Sequence, residues 1–429
     1  MSSKLNILVF PCGSEIALEI HRSLKYSTHF KLYGASSVDD HGKYVYENYI
    51  PDIPYHNDKH FITKIKEIVK TYKIDAIYPA MDAVADTLTQ KEDELECTII
   101  GSSRQATNIC SSKLLTYKLL KDDIPVPIWF ESINEITQFP VFIKPIEGYG
   151  SRNVFLANNH EEAQSFIKKT GPESSFVFCE LLPGKEYTVD CFSDRHGKLL
   201  FAKARTRARI SNGISVNTGE TNDYQQLFSN CATAINKRLM PRGAWFFQMK
   251  VDGLGSPKLL EVAARLGGSS ALYRSKGVNF ALLSAFDAFN YDINVEQNDY
   301  KCELDRALSN KFKLDIRYEN VYVDYDDCLL LGDALNTTLL SFLYQCLNEK
   351  KAIFLITRHA GDLKNSLEKY RIESIFDEVI HITNQGKKST FITEKNAIFI
   401  DDSYAERSDV KIKLNIPVFA PDMIEALIK

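Results

Sequence analysis

The sequence predicts a chain of mixed α/β and α+β architecture, and three observations carry that expectation. Over residues 1–108, short apolar runs such as LNILVF (5–10) alternate with amphipathic stretches, the pattern of a parallel sheet covered by helices. From about residue 109 strand-like segments follow one another directly, as in SSFVFCELLPGKEYTVDCFSD and KLLFAKARTRARI, which predicts antiparallel pairing. After residue 318 strands and helices alternate again. The expected organisation is a Rossmann-like domain over 1–108, an α+β domain over 109–293, a polar and charged connector over 294–318, and an independent Rossmannoid α/β domain over 319–429.

The elements read in order as follows. LNILVF is a buried strand, Pro11–Ser14 a turn, and Ile16, Ile20 and Leu24 mark one face of a helix. FKLYGAS is a strand, FITKIKEIVKTYKID a helix, AIYPAMD a strand ending in Asp82, and CTIIGSS a further strand. Open α/β sheets bind ligands at the carboxyl ends of their strands, so Asp82 is either a substrate contact or part of the scaffold. A lone Gly13 is no dinucleotide fingerprint. SKLLTYKLL is a helix, FPVFIKPIEGYGSRNVFLA a strand, loop and strand, and AWFFQMKVDGLGSPKLLEVAAR a hairpin turning at DGLGSP. NFALLSAFDAFNYD is helical. In the last domain ENVYVDY, KAIFLITR, EVIHIT, NAIFIDD and IPVFA are strands.

The chain has 429 residues, 44% apolar and 25% charged, which is an ordinary globular composition. A formal net charge of −4 argues against nucleic acid or an anionic membrane as partner. The nine cysteines are scattered without a CxxC pair, as expected of free thiols in a reducing cytosol. The opening apolar stretch ends at Pro11 and is too short for a signal peptide, and no run of 18 apolar residues occurs. The expected location is the cytoplasm.

Several segments carry chemistry. VFIKPIEGYGSRNV places Lys144 on a strand before a loop with Gly148, Gly150 and Ser151; glycines let backbone N–H groups approach phosphate and the lysine adds a point charge. CELLPGKEYTVD offers Glu180 and Glu186, and the hairpin offers Gln248, Glu261 and then Arg265. Two oxygen ligands on paired strands can hold Mg²⁺ between phosphates, and an arginine can stabilise a transferring phosphoryl group. The basic stretch KARTRARI spaces Lys203, Arg205, Arg207 and Arg209 by two, which on a strand is one shared face: either a solvated edge or an anion-binding surface.

This ordered set over about residues 1–290 resembles the ATP-grasp superfamily, in particular its members like the large subunit of carbamoyl phosphate synthase. The resemblance implies a pre-ATP-grasp domain over 1–108 carrying part of the substrate site, and an ATP-grasp domain over 109–293 using ATP and Mg²⁺, with Mn²⁺ as an alternative ion. It implies that Lys113 contacts phosphate, that Lys144 lies over the α- and β-phosphates, and that Gly148 to Arg152, including Gly150, Ser151 and Arg152, form the closing loop. It implies that Glu180, Leu181 and Leu182 hydrogen-bond adenine, Glu186 the ribose, and that VNTGE (216–220) lies beside the reacting phosphoryl group. Gln248 and Glu261 would be the metal ligands, with Arg265 facing the γ-phosphate. The family's E-x-N-P-R pattern reads Glu261-Val262-Ala263-Ala264-Arg265 here, so the asparagine ligand is missing.

Four strand ends of the last domain supply Asp324 and Asp326, then Thr357, then Lys387 and Lys388 after a third, then Asp401 and Asp402. Carboxylates gathered this way hold Mg²⁺, and one can attack phosphorus. Over residues 319–429 the set resembles the haloacid dehalogenase (HAD) superfamily in a nearly capless form. The resemblance implies Asp324 as nucleophile and Asp326 as general acid/base, with Thr357 on the phosphoryl oxygen and Lys388 neutralising charge. Asp324, Asp326, Asp401 and Asp402 form the implied metal set. Asp327-Cys328 stands where the family has Gly-Thr.

The two resemblances together imply a bifunctional enzyme: an ATP- and Mg²⁺-dependent carboxylate–amine ligase acting through an acyl phosphate, joined to a phosphatase. Its partners would be a small carboxylate, an amine and a phosphorylated metabolite, with neither nucleic acid nor membrane, and with a homodimer left open. The alternatives are an ATP-grasp kinase, or a ligase with an inactive HAD-like scaffold domain.

Overall fold

The computed structural model describes residues 4–148, 153–211, 213–307, 312 and 314–429. The chain forms two units, residues 1–308 and 309–429.

The first unit begins with a five-stranded parallel sheet of β1 Leu5–Phe10, β2 Phe30–Ala35, β3 Asn48–Ile50, β4 Ala76–Pro79 and β5 Thr98–Ile99, in the order β3-β2-β1-β4-β5. Alternate β1 residues enter different cores. Ile7 and Val9 pack with Ile16, Ile20 and Leu24 of α1 (Glu15–Leu24), while Leu8 and Phe10 pack with Phe61 and Ile65 of α2 (Phe61–Tyr72). Both faces are therefore covered, which is why β1 reads as an unbroken apolar run. Ser14 starts α1 by accepting a hydrogen bond from the Ala17 N–H at 3.1 Å. The strand order reverses between β1 and β4, and that reversal opens a crevice at their carboxyl ends. One expectation is corrected here: β4 stops at Pro79, and Asp82 is the first residue of α3 (Asp82–Thr89).

Helices α4 (Glu92–Leu95), α5 (Arg104–Ser111) and α6 (Lys113–Leu120) lead into β6 Trp129–Phe130, β7 Val141–Pro145, α7 His160–Thr170 after β8 Phe155–Ala157, and β9 Phe176–Glu180. There follow β10 Glu186–Ser193, β11 Leu199–Thr206, β12 Arg209–Ser211, β13 Ile214–Gly219, α8 Gln225–Leu239, β14 Gly243–Val251 and β15 Pro257–Ala263. Helices α9 (Ala271–Ser275) and α10 (Phe280–Ala288) and strand β16 (Glu303–Asp305) close the unit. The sheets run β6-β9-β7-β8, β11-β10-β14-β15 and β12-β13-β16. β16 lies within the stretch expected to be a connector. It pairs with β13, and the Arg209 guanidinium donates to both Asp305 oxygens at 3.0 and 2.8 Å.

The second unit contains β17 Asn320–Val323, a small hairpin of β18 Leu330–Leu331 and β19 Ala334–Leu335, α11 Thr337–Asn348, β20 Ala352–Thr357, α12 Leu363–Tyr370, β21 Glu378–His381, β22 Ala397–Ile400, α13 Tyr404–Leu414 and β23 Val418–Phe419. Its parallel sheet has the order β21-β20-β17-β22-β23. Val321 and Val323 pack with Phe342 and Leu343 of α11 on one face; Tyr322 packs with Phe399 and Val410 on the other. The order reverses between β17 and β22, so the chain leaving each strand, at Asp324 and Asp401, enters one crevice. Among the described residues no helix is long and apolar enough to cross a membrane.

Candidate active sites

In the first unit a cavity of about 220 Å³ is lined by Lys113, Lys144, Gly148, Glu180, Leu181, Leu182, Glu186, Gln248 and Glu261, among others. Two separate elements bring Lys144 and Lys113 to it. Lys144, near the end of β7, is buried, and its ammonium donates to Tyr117 Oη at 2.6 Å; Tyr117 in turn donates to the Leu260 carbonyl at 2.8 Å. Lys113 opens α6, where Ser112 caps the helix, and reaches the Gly148 carbonyl at 3.2 Å. Burial lowers the Lys113 pKa, with Glu261 acting the other way. Gly148 has φ 141°, a backbone conformation that favours glycine. Gly150, Ser151 and Arg152 lie outside the described residues.

Gln248 and Glu261 stand directly opposite one another across β14 and β15, with a register shift just beyond Gln248. Both point into the cavity. A carboxylate and an amide oxygen from adjacent strands form an oxygen donor set that fits a hard divalent cation among phosphates. Two positions further on, Ala263 faces Phe246, so an apolar pair fills the place where the family pattern has its asparagine.

The remaining expected contacts are arranged differently. The Glu180 carboxylate accepts from the Ile128 N–H at 2.7 Å and from Lys258 Nζ at 2.6 Å, and the adjoining Leu181 and Leu182 line the cavity. Glu186 forms ion pairs with Arg207 at 2.8 Å and Lys250 at 3.6 Å. Arg265 is not among the residues lining this cavity: its guanidinium pairs with Asp82. The expected shared basic face is also corrected. β11 ends at Thr206, and the three arginines part ways to Asp190 (2.6 Å, buried), Glu186 and Asp305, with Lys203 left exposed. In VNTGE, Glu220 is held by Lys276 and, at 3.1 Å, by Gln297.

In the second unit three strand ends, those of β17, β20 and β22, carry Asp324, Thr357 and Asp401; the expected fourth is corrected, since β21 stops at His381 and Lys388 comes from a short 3₁₀ turn, Lys388–Thr390. Asp324, Asp401, Thr357 and Lys388 are all buried. Lys388 Nζ lies 2.7 Å from Asp324 Oδ1 and 2.7 Å from Asp401 Oδ2. Lys387 points elsewhere, to Asp409 at 3.1 Å. Burial raises the Asp324 pKa to about 6; Lys388 draws it down and Asp401 pushes it up. Burial also raises that of Asp401, opposed by Lys388. Ligand oxygens of Asp324, Asp401 and Asp402 lie within 4.8 Å of one another. Two buried carboxylates sharing a single ammonium, with a third at the rim, are an oxygen donor set in surplus negative charge, which fits Mg²⁺. Asp326 does not join that set: its half-exposed carboxylate is taken by His359, whose Nδ1 is 2.9 and 3.1 Å from the two oxygens.

The Asp327-Cys328 departure has a local explanation. Asp327 has φ 55°, the left-handed conformation that suits glycine and that aspartate tolerates better than most residues. Cys328 is fully buried in the core beneath the β18–β19 hairpin.

Sequence reasoning missed Tyr117, Lys250, Lys258 and His359. Nothing in the spacing of the first three marks them. His359 follows Thr357 by two residues in ITRH and was the one within reach.

A family model described as ATP-grasp in the biosynthetic pathway with Ter operon matches residues 173–307. A D-alanine–D-alanine ligase of Thermotoga petrophila is 28% identical over 142 residues, 31% of this chain and 46% of that protein. A phosphoribosylamine–glycine ligase of Methanosphaera stadtmanae is 25% identical, covering 56% of this chain and 69% of that one. The chain spans less than half the length of the D-alanine–D-alanine ligases it matches. Among solved structures, the biotin carboxylase domain of Hydrogenobacter thermophilus 2-oxoglutarate carboxylase, in complex with MgADP, ADP and bicarbonate, aligns with TM-score 0.58 and 15% identity over 68% of this chain and 71% of that one. N5-carboxyaminoimidazole synthetase of Staphylococcus aureus aligns with TM-score 0.56 and 14% identity over 69% and 80%. L-amino acid ligase of Bacillus licheniformis aligns with TM-score 0.53 and 15% identity over 67% and 74%. At these identities the likeness is one of fold.

Proposed function

We propose that this chain is an ATP-dependent ligase that joins a carboxylate to an amine through an acyl phosphate, and that its second unit is a phosphatase of the HAD type. The ligase reading rests on one observation: Lys113 and Lys144 share a cavity with the opposed pair Gln248 and Glu261. Lys144, held by Tyr117, is set to neutralise phosphate charge, and Lys113 ties the loop after β7 to the same place. Gln248 and Glu261 would hold Mg²⁺, which when bound supplies charge neutralisation between phosphates. The substrate carboxylate oxygen attacks the γ-phosphorus and ADP leaves. The amine nitrogen then attacks the acyl carbon, and phosphate departs as the nitrogen loses its proton. The names of the D-alanine–D-alanine ligase and L-amino acid ligase relatives favour amino acids as one or both substrates. An ADP-release screen over pairs of carboxylates and amino acids tests the reading. ADP with free phosphate supports it, and ADP with a phosphorylated acceptor supports the kinase alternative.

The phosphatase reading rests on Lys388 bridging Asp324 and Asp401, with buried Thr357 ending β20, the strand paired with β17. Asp324, Asp401 and Asp402 would hold Mg²⁺, which when bound supplies charge to the phosphoryl oxygens. Asp324 attacks phosphorus to form an aspartyl phosphate, and Asp326 takes the proton of the water that hydrolyses it. Asp327 in a left-handed conformation keeps the turn after Asp326 without glycine, which favours an active domain over an inert scaffold. Mg²⁺-dependent hydrolysis of p-nitrophenyl phosphate by the full chain, abolished by Asp324→Asn, tests it. Equal activity in that variant refutes it.

A further inference from the structure

We infer that His359 is a positioning residue for the second unit, one that holds Asp326 in the orientation that accepts a proton from water. The inference rests on the phosphatase reading above. Its basis is that one side chain and its own backbone touch two expected site residues. The His359 ring nitrogen Nδ1 sits between both oxygens of Asp326, at 2.9 and 3.1 Å, and the His359 N–H donates to Thr357 Oγ1 at 3.2 Å.

The ring has little freedom. Its carbonyl meets His381 Nε2 at 2.8 Å. Tyr325 stands edge-on to it, centroids 5.3 Å apart at 88°, and Tyr325 is itself fixed by a 2.6 Å contact to Ser366. On the far side Gly361 leaves room: a Cβ there would lie 3.0 Å from His359 Nε2. An isolated exposed His–Asp pair contributes little and needs no function. This pair instead links the end of β20 to the turn after β17, the two segments that carry Thr357 and Asp326.

The consequence falls on the second half of the reaction. In the first half, an Asp324 oxygen bonds to phosphorus and the bond to the leaving oxygen breaks. With p-nitrophenolate leaving, that step needs little help from an acid. In the second half, a water oxygen bonds to phosphorus, its proton passes to Asp326, and the bond from phosphorus to Asp324 breaks. A hydrogen bond from Nδ1 aims the Asp326 carboxylate at the water. Loss of His359 therefore slows the second step and leaves the first.

The test is pre-steady-state hydrolysis of p-nitrophenyl phosphate by the full chain with Mg²⁺, comparing wild type, His359→Leu, His359→Asn, Asp326→Asn and the double variant Asp326→Asn/His359→Leu. His359→Leu is expected to lower kcat about tenfold or more, below the ~10²–10⁴ that a positioned base contributes, with KM falling by a similar factor because kcat/KM reports the unchanged first step. It should also release a burst of about one p-nitrophenolate per chain as aspartyl phosphate accumulates. His359→Asn, whose amide nitrogen can stand near the place of Nδ1, should recover to within about threefold of wild type, and adding His359→Leu to Asp326→Asn should cost nothing further. Gly361→Val, which presses on the ring without altering either partner, should give the same burst. Wild-type turnover in His359→Leu, or a loss without a burst that adds to Asp326→Asn, overturns the role of His359 alone. A wild-type chain that neither hydrolyses the ester nor forms the phosphoenzyme overturns the phosphatase reading and the His359 role with it.

Discussion

Arg265 grips Asp82 at two points, Nε to Oδ1 and Nη2 to Oδ2, each 2.8 Å, across 183 residues of sequence. The contact ties the segment after β15 to the first turn of α3, at the crevice of the parallel sheet. The guanidinium also lies over the Phe246 ring, 5.3 Å from its centroid. Phe246 is the partner of Ala263, so the arginine rests on the apolar pair that stands in the asparagine position.

That arrangement predicts coupling. Asp82→Ala and Arg265→Met should each destabilise the first unit, and the double variant should lose less than the sum. Asp82 is about a third exposed, so the coupling should be modest, about 1–2 kcal/mol by thermal unfolding. Additive losses would mean that the two side chains do not act together.

Tyr117 is expected to matter through Lys144. Tyr117→Phe removes the hydroxyl that accepts from the ammonium and donates to Leu260, leaving both groups to find other partners. The expected cost is about 1–3 kcal/mol in stability, with ATP binding weakened several-fold in calorimetry. Lys144→Met should weaken ATP further while leaving p-nitrophenyl phosphate hydrolysis unchanged.

Asp324 gives the second unit a pH signature. Its carboxyl is raised by burial to about 6. A carboxyl whose folded pKa exceeds its unfolded one contributes stability below about pH 4 and loses it as pH rises through about 6. The metal-free chain should therefore lose up to about 3 kcal/mol of protection at β17 amides over that interval, and Asp324→Asn should flatten the loss. Mg²⁺ favours the carboxylate, so its stabilising effect should be larger at pH 7 than at pH 5. Hydrogen exchange with and without Mg²⁺ measures both.

The left-handed turn residue can be tested directly. Asp327→Gly should preserve stability or raise it by up to about 1 kcal/mol, whereas Asp327→Val should cost about 1–2 kcal/mol, read as shifts in Tm. A stabilising valine would contradict the conformational account.

The strands of both parallel sheets were legible because burial on two faces makes them apolar runs, as β1, β17 and β22 are. Asp324 and Asp401 were legible because each follows such a run, and Thr357 because it ends one, whereas Lys388 follows a polar stretch. Asp82 was misread as a strand end because α3 starts only three residues after β4, inside the same apolar stretch. β16 has a polar sequence, and its pairing depends on Arg209 and Asn217, almost a hundred residues away. The partners of Arg205, Arg207 and Arg209 are likewise set by tertiary contacts that spacing along one strand does not encode.

The central claim is acyl-phosphate chemistry in the first unit, and oxygen transfer tests it most directly. Asp324→Asn chain, in which the second unit is silenced, is incubated with ATP, Mg²⁺, an amine and an amino acid labelled with ¹⁸O in its carboxylate, taken from pairs that release ADP. The account predicts inorganic phosphate carrying one ¹⁸O from the carboxylate, seen as an upfield-shifted ³¹P resonance, together with an amide product. Unlabelled phosphate, or ADP formed with a stable phosphorylated acceptor, would contradict it.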